Sequence, residues 1–352
     1  TVPQRSGGGA LRHPMDPHRP FRQSGRTARN LRPAALPQAG TAGRAPPEAL
    51  DKRGNETGNN EKTDTMYHAK ISREHRTAFI ILCDRSGSMA EECLLGGTLM
   101  RKADAVACII NMLLSELINR SRRDDGLKDY FDIAVIGYSG EGVHPLLPAG
   151  GKERFAGIDE LARQSVPSQP RRLVRTLPGG RTTIVEYDQR QWIAPQATGD
   201  TPMCGALAEA AALTTAWCAA PRNRDSFPPI VLNITDGEAS DADPGMLLAQ
   251  AARIRSAATR DGNALLFNIH LAGRDAEAAP QLFPSDRTEL PRIRYAELLY
   301  DLSSVLPPCY DELILALHPG ACPPFRAIGY NCSVEELFNM LTIGTASSSF
   351  VI

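Results

Sequence analysis

Four short runs decide most of what this chain can become. Residues 77–83 (TAFIILC), 131–138 (FDIAVIGY), 229–235 (PIVLNIT) and 265–271 (LLFNIHL) are apolar on almost every residue, not on every second one. A strand with one wet face alternates, whereas a strand apolar throughout needs cover on both faces. Longer stretches with apolar residues at helical spacing separate the four. Residues 99–119 are expected as a helix whose polar side runs through Arg101, Asp104 and Asn111. Residues 203–217 form an Ala-rich helix with Pro202 near its first position, and Asp243-Pro244-Gly245 opens another that reaches about Thr259. Residues 142–147 read as an edge strand. Such alternation predicts an α/β domain: a doubly wound, mostly parallel sheet with helices on both faces.

Residues 1–65 differ in kind. They are rich in Pro, Gly and Arg, with almost no aromatic or β-branched side chains. A segment like this buries too little apolar surface to offset its chain entropy, so it is expected to lack fixed structure. A basic tail, an Arg-rich transit peptide and a coding artefact upstream of Met66 all fit the composition.

Global charge offers no partner. Lys+Arg (39) and Asp+Glu (40) cancel to a formal net charge of −1, which draws the chain to neither nucleic acid nor an anionic membrane. No apolar run approaches the roughly 18 residues of a transmembrane helix. The eight cysteines form no C-x-x-C pair, and several sit inside apolar runs, as buried free thiols do. A cytoplasmic location is expected. The sequons at Asn119 and Asn233 fall at a helix end and in a core strand, where glycosylation is not expected.

In sheets of this kind ligands bind outside the carboxyl ends of the strands. Three segments at such ends carry oxygen donors: Asp84-Arg85-Ser86-Gly87-Ser88, Asp200-Thr201-Pro202 and Thr235-Asp236-Gly237-Glu238. Each alone reads equally well as a strand-ending turn or helix cap. Together Asp84, Ser86, Ser88, Thr201 and Asp236 present two carboxylates and three hydroxyls without a His or Cys, a hard donor set that suits Mg²⁺. Neutral hydroxyls leave a cation electrophilic, so a carboxylate from outside is able to complete its shell.

DRSGSM (84–89), DTPM (200–203) and TDGE (235–238) together resemble the metal-ion-dependent adhesion site of the von Willebrand factor A family. The resemblance covers about residues 75–275. It implies Ser86, Ser88 and Thr201 as hydroxyl ligands of Mg²⁺ (or Mn²⁺), with Asp84 and Asp236 ligating directly or through water. Asp200 and Glu238 stand beside these positions, as orienting groups or as solvated loop carboxylates. The family fold implies one short antiparallel edge strand. Its activity implies a protein-interaction module whose partner supplies an Asp or Glu. WIAPQATGDTPMCGAL, SFPPIVLNITDGE, DGNALLFNIH and GYNCSVEELFNMLTIGT further resemble a bacterial cytosolic subgroup often encoded beside a PP2C-type phosphatase and a protein kinase; Cys332 departs from its usual tail.

Residues 276–352 read as a helical extension packed on that domain. A helix is expected over 295–305, stopped by Pro307-Pro308, and Ser333 and Glu336 have capping-box spacing ahead of 337–341. Cys309, Cys322 and Cys332, with His318, are spaced like no common zinc knuckle. Two other functions compete. One is an accessory subunit of an AAA+ machine of the MoxR or chelatase kind. The other is a Mg²⁺-dependent phosphohydrolase, but its D-x-D acid/base carboxylate is replaced here by Ser86. P-loop, H-E-x-x-H and G-x-S-x-G motifs are absent.

Overall fold

Each all-apolar run becomes a strand of one sheet in the computed structural model, which describes residues 66–95, 98–147, 154–176, 182–273 and 279–344. The segment 1–65 lies outside the described residues. The strands are β1 (Thr77–Asp84), β2 (Phe131–Ser139), β3 (Gly142–Pro145), β4 (Ala156–Gly157), β5 (Ile230–Thr235), β6 (Leu265–Leu271), β7 (Gln281–Leu282) and β8 (Ile328–Cys332). They run in the order β7-β8-β6-β5-β1-β2-β3, with β4 also on β2. β1 pairs in parallel with β2 and β5, β5 with β6, and β6 with β8. Antiparallel pairing is confined to the ends: β3 and β4 on β2, and the two-residue β7 on β8. The fold is thus a doubly wound, mostly parallel α/β sheet, with the expected antiparallel strand at the β3 edge.

Alternation inside each strand sends residues to two cores. Phe79, Ile81, Phe131, Val135, Leu232 and Phe267 face one side, where α1 (Lys102–Arg120), α2 (Ile158–Arg163), α6 (Asp311–Leu317) and α7 (Val334–Gly344) pack. Ile80, Leu82, Ala134, Ile136, Val231 and Leu266 face the other, beneath α3 (Met203–Ala219), α4 (Pro244–Ser256) and α5 (Arg294–Leu302). The alanines of α3 let it approach closely, and Ala206, Ala210 and Ala211 are fully buried. Asp243 caps α4, accepting from the Met246 N–H at 3.0 Å, with Pro244 at the first turn.

Four features differ from the sequence expectations or add to them. α1 starts at Lys102, not at 99, because Glu92–Leu95 and Thr98–Arg101 form an antiparallel hairpin first; the Gly96-Gly97 pair between them in sequence is a hairpin signal. Asn111 does not lie on a wet face: it is 2 % exposed. A second hairpin, Ser168–Thr176 with Thr182–Arg190, occupies a stretch with no assigned element. Finally, within 276–352 the helix expected over 295–305 spans Arg294–Leu302 and ends ahead of the Pro307-Pro308 stop, while Ser333 and Glu336 do form the capping box. The same extension also carries β8, in a stretch with no assigned element; it adds a parallel strand beside β6.

All eight cysteines are free; Cys322 is exposed, Cys218 and Cys309 are half-buried, and the other five are buried. Burial pushes the Cys83, Cys218 and Cys309 thiols up to about 12, far from the thiolate that reacts. Titration of the native protein with a thiol reagent is expected to modify Cys322 rapidly and the remainder only on unfolding. Rapid modification of more than one thiol without denaturant is the contrary result.

Candidate metal centre

Parallel register puts the ends of β1, β2, β5 and β6 on one edge, with Asp84 opposite Tyr138 and Thr235 opposite His270. α1 leaves from one face of β1 and α3 covers the other, so β1 is the switch point where a crevice opens. Four loops enter it. Gly87 N–H donates to the Gly199 carbonyl at 2.8 Å, Thr198 N–H to the Arg85 carbonyl at 2.8 Å, and Gly140 N–H to the Thr198 carbonyl at 3.2 Å. The loop after β5 is tied in through Ser240, whose hydroxyl accepts the Thr201 N–H at 3.0 Å and whose own N–H donates to the Thr201 carbonyl at 3.0 Å.

Four of the five expected ligands join in one hydrogen-bonded chain. Asp84 Oδ1 accepts the Ser86 N–H at 2.9 Å, the short-range turn that Asp favours after a strand. The Ser86 and Ser88 hydroxyls are 3.1 Å apart, and Ser88 Oγ donates to Asp236 Oδ1 at 2.6 Å. Asp84 and Ser86 are each 1 % exposed. Thr201 is buried beside them and held by its backbone, but among the described residues its hydroxyl bonds to none of the four. Asp200 and Glu238 are exposed and hydrogen-bond to none of the five, so the solvated-carboxylate reading fits them better.

Three further participants are not among the expected ligands: Thr235, inside TDGE, and Lys102 and Glu91, outside all three motifs. The Thr235 hydroxyl donates to Asp84 Oδ2 at 2.8 Å, so the residue before Asp236 holds the other carboxylate. Lys102 Nζ donates to Asp236 Oδ2 at 2.9 Å and to Glu91 Oε2 at 2.8 Å. Burial pulls the Lys102 ammonium down, but Glu91 and Asp236 outweigh it and hold the group above its ordinary value.

Beneath the crevice His270 stacks on Tyr330 with ring centres 4.5 Å apart and meets Tyr295 edge-on at 5.7 Å. Its Nδ1 accepts the Asn331 N–H at 3.2 Å, and burial depresses it to about 4, so the ring is neutral at pH 7. This is a packed histidine, as is expected of an isolated one near a strand.

The donors fit a hard divalent ion. Burial pushes Asp84 up to about 6, against the hydrogen bonds from Ser86 and Thr235, and no Lys, Arg or His among the described residues pairs with it. A buried carboxylate without a counter-charge is a place where a cation is stabilised. The Tyr295 hydroxyl is buried close by without a hydrogen-bond partner of good geometry among the described residues, and burial raises its pKa. No three His, Cys, Asp or Glu side chains among the described residues gather as a metal cluster. The crevice has two carboxylates, and its remaining donors are hydroxyls.

No protein-family model matches the chain, and no curated protein matches it in sequence. Solved structures do resemble it at low identity. A von Willebrand factor type A protein from Catenulispora acidiphila is 15 % identical with a TM-score of 0.32, over 56 % of this chain and 34 % of that one. The von Willebrand factor domain of the type V pili tip protein Mfa5 from Porphyromonas gingivalis is 14 % identical with a TM-score of 0.27, over 78 % of this chain and 88 % of that one. An uncharacterized membrane spanning protein from Vibrio fischeri is 11 % identical with a TM-score of 0.23, over 56 % and 71 %. The present chain thus spans about a third of the length of the Catenulispora chain. No helix among the described residues is long and apolar enough to cross a membrane.

Proposed function

We propose that this chain is a divalent-cation-dependent protein-interaction module of the von Willebrand factor A kind. The observation that supports it best is the convergence of Asp84, Ser86, Ser88 and Asp236 into one crevice at the carboxyl ends of β1 and β5. These four, with Thr201 from the second loop, are the residues that hold Mg²⁺ or Mn²⁺ in this reading. The bound ion supplies a Lewis-acidic centre for an Asp or Glu of the partner. The rest of the work belongs to the chain itself. Thr235 and the Ser86 N–H fix the Asp84 carboxylate, Ser240 fixes the Thr201 backbone, and Lys102 faces Asp236.

The reading is non-catalytic, because the hydroxyl of Ser86 stands where a phosphohydrolase of this motif class places its acid/base carboxylate. A phosphatase–kinase pair and an AAA+ ATPase are the two partner classes this reading proposes; the identity of the protein captured in a pulldown tells them apart, and its loss in EDTA tests the cation dependence. The first test is calorimetric. Titration with Mn²⁺ or Mg²⁺ is expected to show one saturable site in the wild type and none in Ser86→Ala/Ser88→Ala. Equal heats from both proteins would place the ion elsewhere and sink this assignment.

A further inference from the structure

Lys102 stands against its surroundings. It is the first residue of a 19-residue helix, where the positive end of the backbone dipole disfavours a cation. It is also 3 % exposed, and a buried ammonium loses its hydration. What offsets both is a pair of carboxylates of unequal kind: Asp236, whose side chain is 0 % exposed, and Glu91, which is 60 % exposed. The backbone adds a second tie to the same loop, Lys102 N–H donating to the Glu91 carbonyl at 2.8 Å. The ammonium therefore already neutralises one of the two carboxylates that a divalent ion would use, with a solvent-facing partner beside it.

We propose that Lys102 is a tethered counter-cation that competes with the divalent ion for Asp236 and is left to Glu91 alone when the ion binds. This rests on the cation reading above. Without the ion, Lys102 neutralises Asp236 and lets the crevice fold in its assembled form. With the ion, the same charge is a repulsion that has to be relieved, and Glu91 gives the ammonium a place within reach. The exchange sets a cation threshold: occupancy has to exceed what the lysine already supplies.

The two partners of Lys102 predict effects of opposite sign, which a purely structural lysine does not produce. Lys102→Met removes the competitor and is expected to tighten Mn²⁺ binding at least about tenfold, since a like charge 2.9 Å from the shared Asp236 carboxylate is removed. In EDTA the same variant is expected to melt earlier than the wild type, because Asp236 loses its counter-charge. Mn²⁺ is expected to raise its melting temperature by more than it raises that of the wild type. Glu91→Gln, which takes away the alternative partner, is expected to weaken Mn²⁺ binding several-fold with little change in EDTA. Calorimetry and thermal melts of the full chain, in EDTA and in Mn²⁺, read all of these. If the wild type binds Mn²⁺ and Lys102→Met binds it no tighter, the competition is wrong and the cation reading stands. If neither binds, both fall together. If both variants weaken binding, Lys102 assists the ion and does not oppose it, which also overturns the proposal.

Discussion

Replacing Gly199 with valine is expected to cost at least about 4 kcal/mol of stability and to abolish the heat of cation binding. Two independent penalties meet at this residue. Its φ of +66° is a left-handed conformation that a β-branched side chain adopts only under strain. A Cβ there would also lie 2.6 Å from Gly140 Cα and 3.0 Å from Gly140 N, atoms of backbone that cannot rotate aside. The reverse approach is as tight, with a Cβ on Gly140 falling 2.8 Å from Gly199 Cα. Separating the two loops breaks the Gly87–Gly199 and Gly140–Thr198 hydrogen bonds, and with them the placement of Thr201 two residues on. Urea denaturation beside calorimetry reads both effects. Gly320→Ala, with nothing within 4 Å of the added Cβ, is the control and is expected to change neither. A Gly199→Val protein within about 1 kcal/mol of wild type would show that the loop crossing tolerates a side chain, and the clamp would not be needed.

What the sequence made legible was whatever physical chemistry writes locally. The four central strands announce themselves because burial on both faces demands apolar residues at consecutive positions, and all four are there. Their carboxyl ends are legible too, since Asp84 and Thr235 stop the apolar runs abruptly. Partners set by the fold alone were not. Lys102 lies sixteen residues beyond Ser86, in a helix whose start the preceding hairpin disguises, and nothing local marks it as buried. Thr235 reads as the last residue of a strand, and only the parallel register with β1 brings its hydroxyl to Asp84. β8 is missed for the opposite reason: Gly329 and Asn331 look like turn residues. Yet Gly329 is required by the Met340 and Cys332 sulfurs, and Asn331 adopts a φ of 57°.

Asn111 is the plainest case, because the periodicity places it on the polar side of α1 and the structure buries it. Its Oδ1 accepts the Trp192 N–H at 2.9 Å and the Ile193 N–H at 3.0 Å, while its Nδ2 donates to the Ile193 carbonyl at 2.9 Å. One side chain thus satisfies three backbone groups in a segment that has no regular structure of its own there. Asn111→Leu keeps the volume and leaves two donors and one acceptor without partners in the core. At about 1–3 kcal/mol for each group, partly recovered by relaxation, the expected loss is about 3–6 kcal/mol. The damage reaches the crevice as well. Ala194, the residue after Ile193, accepts the Arg85 guanidinium at 3.3 Å, and Thr198 to Thr201 follow from the same anchor. Asn111→Leu is therefore expected to weaken Mn²⁺ binding under conditions where the protein is still folded. Asn119→Leu, on an exposed position of the same helix, is expected to stay within about 0.5 kcal/mol of wild type and to bind Mn²⁺ normally. If Asn111→Leu unfolds with the wild-type midpoint, the segment is held by packing and not by the amide. Full stability with lost cation binding would instead make Asn111 a positioning residue for the Thr201 loop alone.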